Sequence, residues 1–391
     1  MERWKLSVGL TGAAIFAILM TPMLHAEQVS PLPQTPDPDP ITKPNLDPIL
    51  EPVEVTSTTR HIDVVVAIDT SGSMEKLMDS VRVKLWDIVN EVDRRDPDAE
   101  LRVGLVAFGS PAYGSESGYV RIVSPLTDDL DSIYTSAWSL TTNGGDEYVG
   151  STIKRSIEQL QWSQDENPDN RRLLFIAGNE SALQGAIDPI TEAARAKDQQ
   201  VLVSTLFAGD DTEGRRSGWE RVAKVGGGRY LSIQTADSAV ASHTPYDQEL
   251  ERLNAQLNKS YVAWSDAGRQ SNQRLLDNDA RAKSLGGLAA RVSTKGSKKY
   301  KVNSWDLVTQ ISTGQISVDE VSAEELPAEL QSLEKAALKD ALLQKKAERE
   351  HTQREIERTQ KKRARYLREQ AVETNSQGLD QAMNGVFDAL L

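Results

Sequence analysis

The sequence predicts an α/β fold: a doubly wound, mostly parallel sheet sandwiched by helices, followed by an α-helical C-terminal arm. Two observations carry this expectation. From His61 onward, short and largely apolar runs such as Ile62–Ile68 (Asp63 apart) and Leu173–Ala177 (LLFIA) alternate with longer stretches of helical spacing. That alternation marks parallel strands buried on both faces. Beyond Ala323 the pattern changes to a sustained helical seam followed by dense mixed charge, the mark of a long helix rather than a sheet.

The chain opens with Arg3 and Lys5 before the apolar run Leu6–Met20, then Leu24-His25-Ala26. Residues 1–26 read as a secretory signal peptide. The alternative is an uncleaved membrane anchor, but a span needs ~20 apolar residues, and this run is interrupted by Ser7, Gly9, Thr11 and Gly12. Either way the protein is expected outside the cytosol, in a periplasm or cell envelope. Residues 27–58 form a Pro-rich linker, with eight prolines between Glu27 and Glu54, and read as an extended tether.

Within the α/β region, Ile62–Ile68 is the first strand and Glu75–Val92 the first helix, with Leu77, Val81, Leu85, Ile88 and Val92 near helical spacing. Leu101–Phe108 and Tyr119–Val123 read as an edge hairpin. Helices follow at Asp128–Leu140 and Glu147–Trp162, a strand at Leu173–Ala177, a helix at Ile187–Lys197 and a strand at Val201–Phe207. The last pair is the helix Arg216–Val225 and the strand Tyr230–Ile233.

Chemistry concentrates where the first strand ends. In VVVAIDTSGSM (Val64–Met74), Asp69, Ser71 and Ser73 alternate, and Gly72 lets the backbone turn. One carboxylate and two hydroxyls suit a hard divalent cation, Mg²⁺ above all, with Mn²⁺ or Ca²⁺ as alternatives. The same residue types also favour a plain helix N-cap, and spacing alone leaves both readings open. In open α/β sheets, ligands bind outside the carboxyl ends of the strands, where the loops after other strands also gather.

VVVAIDTSGSM resembles the first strand and metal-ion-dependent adhesion site of von Willebrand factor A domains, whose signature is D-x-S-x-S. The segments RRLLFIAGNE, VLVSTLFAGDD, GWERVAKVGGGRYLSI and HTPYDQELERLNAQLNKSYVAW look like a bacterial exported subgroup of that family, placing the domain at residues 59–245. The resemblance implies that a third loop supplies a threonine and that the fourth strand ends in an aspartate. In TTNGGDE, Thr142 has the right chemistry but stands early, whereas Gly145 or Asp146 falls nearer the expected place. In AGNE, Asn179 or Glu180 stands where the family's aspartate would be, though both also suit a turn. The family further implies a protein partner whose acidic residue completes the coordination sphere of the metal.

Composition excludes several other functions. A net charge of −13 disfavours binding to a phosphate backbone, and 5 % aromatic content disfavours a base-stacking platform. The absence of cysteine removes disulfides, thiol catalysis and cysteine metal sites. No G-x-S-x-G or G-x-x-x-x-G-K-[ST] motif occurs, and the four histidines lack a catalytic partner spacing. The chain is therefore expected to be neither an enzyme nor a binder of a small-molecule substrate.

Past the domain, residues 246–322 read as a helical extension packed on or near it, with Pro245–Leu257 helical, Tyr261–Trp264 strand-like, Arg269–Tyr300 helical, and WDLV (Trp305–Val308) with Ile311 docking back. Residues 323–372 read as a long charged helix or coiled coil, seamed by Leu326, Leu330, Leu333, Ala337 and Ala341 and solvated beyond Gln344. Residues 375–391 form a short amphipathic helix striped by Leu379, Met383, Val386, Phe387 and Leu390. The leading expectation is metal-dependent protein binding by a domain held on a helical arm. The alternative is a structural scaffold that self-associates through its C-terminal helices and carries a metal-free site; an envelope hydrolase is a poor third.

Overall fold

The computed structural model describes residues 59–75, 78–145, 148–164, 167–233, 243–302 and 304–374, with side chains as far as residue 370. The leader and linker (1–58), Leu77, Asp146 and the terminal amphipathic segment (375–391) lie outside these residues.

The α/β part comprises β1 (His61–Asp69), α1 (Met78–Arg95), β2 (Glu100–Phe108), β3 (Val120–Thr127), α2 (Leu130–Trp138), α3 (Val149–Gln159), β4 (Arg171–Gly178), α4 (Pro189–Asp198), β5 (Val201–Ala208), α5 (Asp211–Arg216), α6 (Trp219–Val225) and β6 (Gly227–Ile233). The strands form one sheet in the order β3-β2-β1-β4-β5-β6, parallel except for the β2–β3 edge pair. The expected hairpin is therefore present, and β3 runs on to Thr127.

Strand β1 is central and shows why its residues from Val64 to Ile68 are apolar, with Asp63 buried only by pairing with Arg102. Ile62, Val64, Val66 and Ile68 face one core with α1 and α2, while Val65 and Ala67 face a second core with α3, α4 and α6. Side chains alternate across a strand, so a strand covered on both sides has no polar face. Fully burying each such aliphatic side chain stabilises the fold by roughly 1.5–3 kcal/mol.

One expected helix starts late and a second is broken in two. The first, Arg216–Val225, begins at Trp219, because Gly218 at φ 98° separates it from α5, which ends at Arg216. The second, Arg269–Tyr300, becomes α8 (Ser265–Ser284) and α9 (Leu288–Gly296), parted at Gly286 with φ 73°.

The C-terminal helices are α7 (Asp247–Ser260), α8, α9, α10 (Leu307–Ser312) and α11 (Lys335–Thr374). Leu250, Leu253, Leu257, Leu275 and Val292 belong to the same core as the β1, α1 and α2 residues. The extension thus covers one face of the sheet rather than hanging beside it. The strand-like run Tyr261–Trp264 makes one bridge, Ala263 to Asp306, and Trp305 joins the main core beside Tyr261.

A buried ionic cluster fastens the extension to α2. Arg291 donates to Asp131 Oδ1 at 2.7 Å and to Asp279 Oδ1 at 2.5 Å. Lys295 reaches Asp279 Oδ2 at 2.9 Å and the amide oxygens of Asn254 and Asn258, and Tyr300 donates its hydroxyl to Asp131. Two cations balance two carboxylates, which is what makes burial of all four tolerable.

The long helix departs most from expectation. It starts at Lys335, not Ala323, because Pro327 lacks an N–H and forces extended backbone on Leu326 (ψ 155°). Of the seam, Leu326 and Leu330 are buried and Leu333 and Ala341 are partly buried, whereas Ala337 is exposed; with Leu338 and Leu342 the buried residues pack inside the chain against Val262, Leu307, Val308, Val318 and Val321 rather than against a coiled-coil partner. Beyond Gln344 one face is buried as well: Arg349, Thr352, Ile356 and Thr359 all lie inside, although the rest of the helix is charged. The stretch of α11 from Lys345 to Tyr366 runs antiparallel along α7. Arg349 meets Ser260 at one end, Arg363 pairs with Asp247 at the other, and Tyr366 stands edge-on to Tyr246.

Candidate functional site

The loops after β1 and β4 and the loop after α2 meet at the carboxyl ends of the central strands. Strand order reverses between β1 and β4, the place where a crevice opens in a doubly wound sheet.

Asp69 ends β1 fully buried and takes both bonds of a tight turn: Ser71 N donates to its Oδ1 at 2.7 Å and Ser71 Oγ to its Oδ2 at 2.6 Å. Ser71 Oγ lies 2.8 Å from Ser73 Oγ, and Ser73 Oγ donates to Asn179 Oδ1 at 3.0 Å. A string of four oxygen-bearing side chains thus runs from the buried carboxylate to the exposed hydroxyl of Ser73 and across to the β4 loop. The Gly72–Met74 turn that carries Ser73 is a 3-10 turn, with α1 beginning four residues on. The Ser71 side chain makes no N-cap bond to that turn, so the plain capping reading does not account for it.

The third loop is stitched to the first by backbone bonds, Asn143 N to Thr70 O at 2.8 Å and Gly72 N to Gly144 O at 2.9 Å. Thr142 sits one residue before this stitch and is half-buried. Asp146 falls outside the described residues. Glu180 turns away: its carboxylate accepts from Gln184 at 3.2 Å, and its carbonyl accepts the Trp219 indole N–H at 2.6 Å. Asn179, not Glu180, therefore joins the string.

Several residues that shape the site had no signal in the sequence. Tyr113 places its hydroxyl 3.1 Å from Thr70 Oγ1. Gly144 adopts φ +103°, where an added Cβ would stand 2.5 Å from Pro111 Cδ and 2.7 Å from Gly109 O. Met74, next to Ser73, is buried against Ala208 and Ile233 at the ends of β5 and β6.

The donor set is one carboxylate, two hydroxyls and one amide oxygen. All are hard oxygen donors, suited to Mg²⁺ or Mn²⁺ with water filling the remaining positions. Among the described residues no group of three or more His, Cys, Asp or Glu could hold a metal.

Residues 63–227 match the family model of the von Willebrand factor type A domain. The chain carries a von Willebrand factor type A domain. The match runs from β1 through α6, ends at the first residue of β6 and stops short of α7–α11.

Among solved structures, the chain is similar to proximal thread matrix protein 1 of the mussel byssus, with 14 % identity, a TM-score of 0.35 and coverage of 46 % of this chain and 43 % of that one. A second structure of the mussel protein is described as having a zinc-occupied MIDAS motif, again at 14 % identity and TM-score 0.35 over 46 % and 43 % of the two chains. BatB from Bacteroides thetaiotaomicron is 15 % identical, with TM-score 0.35 over 56 % of this chain and 99 % of that one. The present chain thus spans less than half the length of the mussel protein. No curated protein matches it.

Proposed function

We propose that the von Willebrand factor A domain binds a protein partner through a divalent cation held at the carboxyl end of β1. The observation that carries this reading is the string Asp69–Ser71–Ser73–Asn179, which gathers four oxygens from two distant loops at one rim. Asp69, Ser71, Ser73 and Asn179 would hold the cation, Mg²⁺ first, and the Thr142 loop borders it. The bound cation supplies an electrophilic centre for a carboxylate. With one described protein carboxylate at the site, a dication keeps positive charge, which an Asp or Glu of a partner neutralises. The rim at the head of α1 also favours negative charge.

The reading is non-enzymatic, in keeping with a sequence that carries no G-x-S-x-G or G-x-x-x-x-G-K-[ST] motif. We place the protein outside the cytosol on the strength of its leader-like first 26 residues; among the described residues no helix is long and apolar enough to cross a membrane. The scaffold alternative loses its main support, since the leucine seam packs within the chain. The test is crosslinking of the full protein in its native cells in Mg²⁺ or EDTA, wild type beside Asp69→Ala. Partner capture should need both the cation and Asp69; capture indifferent to either sinks the proposal.

A further inference from the structure

We infer that the groove between the start of α8 and the segment ahead of α11 binds an aliphatic ammonium group, carried by a free diamine or by a lysine side chain. The groove shares no residue with the β1 rim, and the inference does not depend on the cation reading.

The groove has a volume of about 570 Å³, within the ~300–1,000 Å³ range of small-ligand clefts. Tyr261 and Ala263 form its floor, Arg269 and Asn272 one wall, and the segment 324–331 the other. These walls are held in place by the chain itself. Arg269 Nη1 donates to Glu325 O at 3.3 Å, Gln331 Nε2 to Leu326 O at 2.9 Å and Leu330 N to Pro327 O at 2.9 Å. Leu326 and Leu330 are anchored in the core beside Val318 and Val321. On the floor, Ala263 bridges to Asp306, and the Tyr261 ring packs on Trp305 at 5.5 Å and under the Arg349 guanidinium at 4.7 Å. A cleft built this way loses little freedom when it is filled.

Tyr261 is the residue that points to a ligand. It is only 9 % exposed, yet its hydroxyl has no hydrogen-bond partner among the described residues and opens into the groove. Leaving such a group unpaired is costly, and a ligand that bonds it removes the cost. Burial pushes the phenol up, so at neutral pH the hydroxyl stays protonated and accepts as well as donates.

Charge sets the sign of the ligand. Arg269 is already answered by Asp266 at 2.5 Å. Glu324 and Glu329 have no ion pair or hydrogen bond among the described residues, and the half-buried Asn272 amide is also unbonded. Two unanswered carboxylates, an amide oxygen and the phenol oxygen suit the three N–H donors of an ammonium. Leu326, Pro327 and Ala263 line the groove for the methylene chain behind it. An anion would meet two like charges instead.

The full chain in EDTA is titrated calorimetrically with cadaverine, Nα-acetyl-lysine methylamide and pentanoate, as wild type, Glu324→Gln/Glu329→Gln and Tyr261→Phe. Urea midpoints establish that the variants fold. One amine should bind per chain, about tenfold more weakly in the double variant and about threefold more weakly in Tyr261→Phe, which keeps the ring and loses only the hydroxyl. Pentanoate should not bind. Tighter binding of cadaverine assigns a free diamine and tighter binding of the lysine derivative a peptide source; either supports the ammonium site. Failure of both amines to saturate overturns it, as does saturable binding that neither variant weakens or pentanoate binding as tight as the amines. Several amines per chain, weakened in the double variant but not in Tyr261→Phe, mark diffuse charge attraction and overturn it too.

Discussion

Arg349 and Asp306 form a buried two-point ion pair, Nη1 to Oδ2 at 2.7 Å and Nη2 to Oδ1 at 3.1 Å, that ties the middle of α11 to the head of α10. The guanidinium also donates to Ser260 O and Thr309 Oγ1 and stacks on Tyr261 at 4.7 Å. Asp306 in turn accepts from the backbone N–H groups of Val262 and Thr309. Removing one partner leaves the other charge buried and unpaired. Arg349→Ala should therefore cost about 3–5 kcal/mol, measured by urea denaturation. Arg349→Met/Asp306→Leu, which removes both charges, should lose less than the single change.

Acid should loosen the molecule through the cluster between α2, α8 and α9. Burial pushes the Asp131 and Asp279 carboxyls up, but the cations facing them prevail: Arg291 for Asp131, Lys295 and Arg291 for Asp279. Both carboxyls are held below the usual range. A depressed folded value means the unfolded chain binds protons first on acidification. The stabilisation is thus present above ~4 and is lost as pH falls further. Asp279→Asn should be less stable at neutral pH and show a flatter loss in acid, read from urea midpoints between pH 2.5 and 7.

Lys295 works the other way. Burial lowers its amine to about 8, against the pull of Asp279 and with the repulsion of Arg291. Between that value and the ~10.4 of an unfolded lysine, the unfolded chain holds a proton that the folded one lacks, so this group's contribution to stability rises with pH. Wild type should gain in urea midpoint from pH 8 to 10 relative to Lys295→Met.

Two neighbouring glycines should behave differently. Gly144 sits at φ +103° with Pro111 Cδ 2.5 Å and Gly109 O 2.7 Å from an added Cβ, and its carbonyl receives Gly72 N–H. Gly144→Ala should cost about 1–3 kcal/mol and weaken Mn²⁺ binding by displacing the turn that carries Ser71 and Ser73. For Gly145 an added Cβ meets nothing within 4 Å, so Gly145→Ala should leave both measurements unchanged.

Asn179 sets the charge of the site. Asn179→Asp would put a second carboxylate at the end of the Ser73 bond. At about 4 Å from a cation a surface carboxylate contributes up to ~4 kcal/mol per unit charge, part of it lost to repulsion from Asp69. Mn²⁺ affinity should rise by about tenfold or more, read by isothermal titration, while partner capture should depend less on the partner's acid.

The sheet and the first part of the site were legible in the sequence because their signals are local. Val64–Ile68 has to be apolar on both faces, and Asp69, Ser71 and Ser73 lie within five residues of one another. What stayed hidden depends on residues far apart in the chain. Nothing near Glu180 foretells that Trp219 will take its carbonyl, and Thr142 was weighed by spacing, whereas backbone stitching sets its place. The tail hides its packing for a related reason: beyond Gln344 the buried face of α11 is made of Arg349, Thr352 and Thr359 as well as Ile356. A hydrophobic pattern cannot register a polar face that is buried by pairing with distant partners.

The core shared by the sheet and the C-terminal helices decides what can be cut away. Trp86 packs against Tyr134 and lies under the guanidinium of Arg291, and Leu250, Leu253, Leu257 and Ile356 close the same interior. A fragment ending at β6 would open this interior to water and leave Asp131 without its cation. The family-matching stretch is therefore not a spare part that can be lifted out and grafted elsewhere. Comparative binding work on isolated 59–233 would report on an exposed, sticky surface, and swaps between relatives should carry the segment through α11 as one inheritance.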